Sequence, residues 1–102
     1  MDETPLAAAQ RELEEEVGLV ARRWDPILTM ELSNSITDER AEIFLARDLQ
    51  KAHAHPEDTE QLQLRRVPFE TLYQQVRDGH HRDSLTVAAV LKVRLMMLEG
   101  LL

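Results

Sequence analysis

The sequence predicts an α/β (α+β) domain of about three strands and three helices. A capped run of strong helix formers opens the chain, apolar and polar residues alternate in its middle, and two further helical patterns follow. The chain has 102 residues, which is about one domain, so we expect residues 1–102 to form a single domain.

The first helix is predicted between Thr4 and Gly18. Thr4 followed by Pro5 is a typical helix start, because a hydroxyl caps the free amides and proline fits the first turn. Gly18 stands where a left-handed residue commonly ends a helix. One stripe of this helix should face a core, and it consists of Leu6, Ala9, Leu13 and Val17.

Three strands are predicted in the middle of the chain. Residues 25–35 alternate between apolar and polar side chains, and residues 40–49 contain three large apolar residues in succession, which is typical of a strand buried on both faces. Polar residues separate these two segments, so we expect a hairpin with a longer loop. After a polar loop, alternation in residues 61–67 predicts the third strand.

Two helices are predicted in the last third of the chain. Residues 68–79 place apolar side chains on one face of a short helix, and Asp83 or Ser84 caps the last helix. That last helix is apolar nearly all round, and a core built from so short a chain can hardly surround it. We therefore expect a homodimer, with the last helix or an unpaired strand edge at the contact.

The composition argues against several classes of function. The net charge of −7 argues against a protein that binds the nucleic-acid backbone, which needs a basic surface. The chain has no cysteine, which excludes disulfides, thiol nucleophiles and thiolate metal sites. No apolar run approaches the length of a membrane span, and no signal peptide is recognisable, so we expect a cytoplasmic protein.

The acidic stretch of the first helix is the most informative segment. At about 100° per residue, Glu12, Glu15 and Glu16 share one face, and three carboxylates on a rigid surface suit a hard cation such as Mg²⁺ or Mn²⁺. Arg11 is placed to brace one carboxylate through a bidentate pair. The composition alone favours a solvated acidic face over a metal site, because most charge runs are solvated faces.

The spacing of this stretch resembles the signature of the Nudix hydrolases. That signature reads Gly, five residues, Glu, seven residues, Arg-Glu-aliphatic, any residue, Glu-Glu, any residue, Gly-aliphatic. The chain matches it from Glu3, through Arg11-Glu12-Leu13 and Glu15-Glu16, to Gly18-Leu19. Downstream segments 32–49 and 57–91 are similar to the branch of the family that hydrolyses ADP-ribose and nucleoside diphosphate sugars.

The resemblance implies a fold and a reaction. It implies part of a Nudix-type α/β/α sandwich without its N-terminal strands, since the chain begins inside the box and resembles the C-terminal part of the domain. It implies hydrolysis of a diphosphate, with Mg²⁺ or Mn²⁺ as cofactor and a nucleotide sugar such as ADP-ribose as substrate. The products would be a nucleoside monophosphate and a sugar phosphate.

The resemblance also implies roles for single residues. Glu12 and Glu16 match metal ligands of the box, with Glu15 as the third member of the cluster. Arg11 and Glu3 match residues that support it. The implied general base lies in a loop, where Glu60 is preferred and Glu57 is an alternative, and a loop acid at Glu39 is implied near the substrate.

Two hypotheses remain open at this point. The first is a metal-dependent pyrophosphatase, which the complete glutamate set favours. The second is a catalytically impaired relative that acts as an oligomeric interaction module, which the absent upstream strands favour. The histidines of the chain fit solvated loop residues better than metal ligands, and they are His53, His55, His80 and His81.

Overall fold

The computed structural model describes residues 3–32, 39–52 and 64–102. Within them the chain forms three α-helices and a two-stranded antiparallel sheet, which confirms the α+β class. The elements follow in the order α1 (Pro5–Glu12), a π-helical segment (Leu13–Val17), β1 (Leu19–Glu31), β2 (Arg40–Lys51), α2 (Phe69–Arg77) and α3 (Ser84–Leu98).

The predicted ends of the first helix are confirmed. The Ala7 amide donates to Thr4 Oγ1 over 3.1 Å, and Pro5 occupies the first turn. Gly18 has a φ of 75°, a left-handed conformation that glycine adopts without a steric penalty. The prediction of an uninterrupted α-helix was wrong, because residues 13–17 widen into the π-helical segment.

The first helix is less buried than its apolar stripe predicts. Leu6 remains 38% exposed, and the other three members of the stripe are half-buried. No side chain of α1 or of the π-helical segment is fully buried. Helix formers and caps, rather than extensive burial, therefore determine this element.

The sheet consists of the two strands that were predicted to pair. β1 begins at Leu19, six residues earlier than the alternation predicts, while β2 covers the predicted segment. The Leu32 amide donates to the Glu39 carbonyl at one end of the pair, and the Ala52 amide donates to the Gly18 carbonyl at the other. The loop predicted between the strands, residues 33–38, lies outside the described residues.

The third predicted strand is not found in its described part. Residues 64–67 have no regular secondary structure, and residues 61–63 lie outside the described residues. The arginines at 65 and 66 are exposed, so the alternation that suggested a strand does not separate a buried face from a solvent face here.

The helices α2 and α3 pack together. Val76 of α2 and Val90 of α3 are buried, with exposed fractions of 8% and 5%. Arg94 of α3 forms an ion pair with Glu70 and stacks on Tyr73, with its Cζ 3.8 Å from the ring centroid. Asp83 caps α3, accepting from the amide and the hydroxyl of Thr86 at 2.9 and 2.8 Å.

The chain divides into two compact units. One contains Met1–Pro26 and Phe44–Arg65, and the other contains Ile27–Ile43 and Arg66–Leu102. The first unit holds the acidic helix with the adjoining ends of both strands, and the second holds the packed helix pair. No helix in the described part of the chain is long and apolar enough to cross a membrane.

Candidate functional site

The candidate site centres on Arg11, which joins two of the predicted acidic residues. Its Nε and Nη2 donate to the two carboxylate oxygens of Glu3 at 2.8 and 2.9 Å. Its Nη1 donates to Oε2 of Glu15 at 3.2 Å. Arg11 therefore makes the bidentate contact that the sequence suggested, with Glu3 as the acceptor.

The helix itself brings these three residues together. Arg11 lies seven positions after the capping Thr4, so both occupy the same side of the helix, and Glu3 immediately precedes the cap. Helical side chains also tilt toward the N-terminus of the helix, which directs the side chain of Arg11, and the guanidinium at its end, back to Glu3. Glu15 follows Arg11 by four positions, the spacing at which helical side chains are neighbours, and it contacts the guanidinium from the C-terminal side.

The ion pair between Arg11 and Glu3 favours the charged forms of both side chains. The hydrogen bonds from Arg11 lower the pKa of Glu3, so Glu3 remains ionised at a lower pH than a free carboxylate. Glu3 first, and Glu15 second, raise the pKa of Arg11 above its ordinary value. In the cluster of Glu3, Arg11 and Glu15, the carboxylate of Glu3 and the guanidinium of Arg11 therefore carry opposite charges at neutral pH.

Solvent exposure determines how much the ion pairs of this cluster contribute to the free energy of unfolding. The three side chains keep 47%, 43% and 59% of their surface exposed, for Arg11, Glu3 and Glu15 respectively. Exposed ion pairs add little to the free energy of unfolding, because water screens them. Their main effect is to hold the carboxylate of Glu15 in one orientation at the start of the next turn.

Glu12 and Glu16 are both exposed on this helix. The described residues contain no group of three or more acidic or histidine side chains gathered as metal ligands. The angle of 100° per residue does not apply to residues 13–17, because a π-helical turn holds more residues than an α-helical one. The assignment of Glu12, Glu15 and Glu16 as metal ligands stays a prediction.

The donor set still fits a divalent cation by its chemistry. Carboxylate oxygens are the ligands that Mg²⁺ and Mn²⁺ take, and water completes their coordination. The exposed side chains of Glu12 and Glu16 also have the rotamer freedom to converge on a cation beside Glu15. Glu14 differs from these three, since it is half-buried and already engaged in an interaction.

The remaining predicted site residues are Glu39, Glu57 and Glu60. Glu39 precedes β2, where its carbonyl accepts the hydrogen bond from Leu32 and its side chain is exposed, and it belongs to the second unit. Glu57 and Glu60 lie outside the described residues. The assignments of the general base and of the loop acid therefore stay predictions.

An open groove that the sequence did not predict lies beside Arg11. It has a volume of about 230 Å³ and is lined by Gln10, Arg11, Glu14, Val20, Ala21 and Trp24. Trp24 and Val20 are four positions apart on β1. Because the side chains of a strand alternate between its two faces, both lie on the same face. The helix residues opposite them depend on tertiary packing, for which the sequence holds no local signal.

Trp24 is anchored at one side of this groove. Its Nε1 donates to the Ala21 carbonyl at 3.1 Å, and its ring meets Phe44 edge to face with centroids 6.4 Å apart. These contacts give Trp24 a packing role in the first unit. Next to it, Asp25 pairs with Arg47 across the sheet at 2.9 Å.

The described histidines do not form a site. His81 is half-buried, and its Nε2 lies 2.9 Å from Oε1 of Gln75, which gives it a structural partner. His80 is exposed. His53 and His55 lie outside the described residues.

Comparison with known proteins identifies the family of the chain. The NUDIX domain family matches residues 1–89, which include the acidic helix and both strands. An ADP-ribose pyrophosphatase of Mycobacterium tuberculosis (strain ATCC 25618 / H37Rv) is 31% identical over 94 residues, covering 89% of this chain and 45% of that protein. The chain thus spans less than half the length of this relative. Because the family match extends over most of the chain, the chain belongs to the NUDIX domain family.

Proposed function

We propose that the protein is a divalent-metal-dependent hydrolase that cleaves the diphosphate of ADP-ribose or a related nucleoside diphosphate sugar. One observation carries the proposal. Arg11 holds Glu3 and Glu15 along the helix that also presents Glu12 and Glu16, and all five match the Nudix signature. The name of the mycobacterial relative supports ADP-ribose as the first substrate to test.

Each residue receives a specific role in this proposal. Glu12 and Glu16, with Glu15 as the third carboxylate, would hold Mg²⁺ or Mn²⁺. When bound, the cation supplies positive charge against the diphosphate oxygens and activates water. Arg11 fixes the direction of Glu15, and Glu3 in turn fixes the guanidinium of Arg11, so both act as positioning residues.

The reaction is a substitution at phosphorus. A water molecule attacks one phosphorus atom, the bond from that phosphorus to the bridging oxygen breaks, and the water loses a proton to a carboxylate. We propose Glu60 as the base, with Glu57 as the alternative, and Glu39 as a loop acid near the substrate. The two products are a nucleoside monophosphate and a sugar phosphate.

The first test uses ADP-ribose with millimolar Mg²⁺ or Mn²⁺ and follows AMP by chromatography. Glu16→Gln should lower turnover at least about 100-fold, because it removes one of the carboxylates proposed to hold the metal. Glu42→Gln on β2 is the matched control, since the same change at another exposed glutamate should leave turnover unchanged. Metal should raise the melting temperature of the wild type and of Glu42→Gln, but not that of Glu16→Gln.

The same assay identifies the base. Glu60→Gln should reduce kcat more than it changes KM, as expected for a group that acts in the transition state. If Glu57→Gln has that effect instead, the role moves to Glu57. Absence of turnover by the wild type, with ADP-ribose and with other nucleotide sugars, would contradict the hydrolase proposal.

A second candidate function rests on a different observation. Several large apolar side chains of α3 and of the chain end are exposed, with Leu98 at 73% and Leu101 at 63%. Such surfaces commonly mark interaction sites. An oligomeric interaction module without turnover is therefore the alternative, and a metal-insensitive melting temperature together with stable self-association would favour it.

A further inference from the structure

The helix α3 presents apolar side chains on two opposite sides. Val90 and Val93 pack within the second unit and are buried and half-buried. Leu91, Leu95 and Leu98 are exposed by 43%, 55% and 73%. These two faces together explain why the sequence of α3 is apolar nearly all round.

The three exposed leucines form one stripe, which we call the leucine stripe (Leu91, Leu95 and Leu98). At about 100° per residue they lie within about 60° of one another, and Val93 lies on the opposite side of the helix. Their spacing of four and three residues is the repeat with which one helix packs along another. The shape of the stripe therefore fits a second helix.

Two charged residues run beside the leucine stripe. Lys92 and Glu99 are seven positions apart on the same edge of it, about 60° and 40° from Leu95. Within the described part of the chain, neither forms an ion pair. The edge is thus positive toward the start of α3 and negative toward its end.

This charge pattern is self-complementary in one arrangement. In an antiparallel pair related by a two-fold axis level with Leu95 and Met96, the Lys92 of one copy meets the partner's Glu99, and the reverse pair forms on the same side. The leucines of the two copies then alternate along the contact. In a parallel pair, Lys92 and the partner's Glu99 would be two turns apart.

We propose that two copies of this chain associate through an antiparallel contact between their α3 helices. The leucine stripe forms the centre of the contact, and two Lys92–Glu99 pairs form its edge. This proposal does not rest on the hydrolase activity. Val90 takes no part in this contact, because it is only 5% exposed.

Light scattering after size-exclusion chromatography tests the contact at tens of micromolar protein. The wild type should have twice the monomer mass of 11.8 kDa. Lys92→Glu and Glu99→Lys should each weaken the dimer about tenfold or more, since each turns two attractive pairs into two repulsive ones. Leu95→Asp should leave a monomer that still unfolds cooperatively, because Leu95 lies outside the packed side of α3.

Charge exchange makes the test specific for this arrangement. The double variant Lys92→Glu/Glu99→Lys should dimerise like the wild type. An equimolar mixture of the two single variants should form a mixed dimer, because one variant is acidic along the edge and the other basic. A wild-type monomer, or a dimer that withstands both Lys92→Glu and Leu95→Asp, would overturn the proposal and assign the stripe to another partner or to no partner.

Discussion

The first and last helices of this chain are held in place by different forces. α1 and the π-helical segment after it bury no side chain, and their contacts are a cap, a left-handed glycine and the ion pairs of Arg11. α3 has no ion pair along its leucine stripe but packs Val90 against α2 and clamps Arg94 between Glu70 and Tyr73. Local hydrogen bonds determine the first helix, whereas burial determines the last.

This difference predicts where substitutions act. Substitution of exposed side chains that ion pairs hold in one orientation should change binding and turnover. It should change the free energy of unfolding little. Side chains that are buried should matter for the free energy of unfolding first. The three predictions below test this division.

The largest effect on stability is expected at the buried side of α3. Val90→Ala should lower the free energy of unfolding by about 2 kcal/mol, because it removes buried apolar surface and leaves a cavity. Leu95→Ala, on the exposed side of the same helix, should change it by less than about 0.5 kcal/mol in the monomer. Urea denaturation at low protein concentration measures both, and equal effects would contradict the assignment of the two faces.

A smaller and different effect is expected at Arg11. Arg11→Lys keeps the positive charge but removes the planar group that contacts Glu3 and Glu15 together. We expect turnover to fall about tenfold, as for other residues that orient metal ligands. The metal concentration that gives half of the thermal shift should rise about tenfold for the same reason. The melting temperature without metal should hardly change.

Arg40→Lys, at an exposed arginine of β2, is the control for that change. A large loss of stability in Arg11→Lys without metal would show that the cluster supports the fold rather than the orientation of Glu15. In that case the contrast between the two helices would not hold.

The smallest effect is expected at the cap of α3. The hydrogen bonds from Thr86 lower the pKa of Asp83 below its ordinary value of 3.8. A lowered pKa adds stability that is complete above the ordinary pKa and is lost as the pH falls through the pKa of the folded state. Asp83→Ala should therefore lower the melting temperature by a few degrees at pH 7, and this difference should shrink below about pH 4.

Ser84→Ala is the matched control, because Ser84 follows the cap and should show no such pH dependence. A difference between the wild type and Asp83→Ala that stays constant from pH 7 to pH 3 would mean that charge plays no part in the cap.

The residues that end and begin elements could be read from the sequence. Thr4, Pro5 and Gly18 act through their own backbone preferences, and so does the cap at Asp83. Alternation and apolar runs likewise predicted the pairing of β1 with β2. These signals are local, so a single sequence contains them.

Contacts across the fold could not be predicted in the same way. The π-helical segment invalidates a fixed angle per residue, the alternation in residues 64–67 did not produce a strand, and no local pattern predicts that Arg94 stacks on Tyr73. The residues of the acidic cluster were predicted from spacing. The spacing did not show that Glu3, eight positions before Arg11, is its bidentate partner. That pairing depends on the geometry of the two side chains.

Gly18 has a consequence for the motions of the acidic turn. It ends the π-helical segment, and its carbonyl accepts the hydrogen bond from Ala52 at the end of the sheet, so no linker separates the turn from the strands. A Cβ at this position would meet no atom within 4 Å, yet the positive φ would still disfavour it. The acidic turn therefore cannot swing independently of the strand ends, and the two regions form one unit of local unfolding.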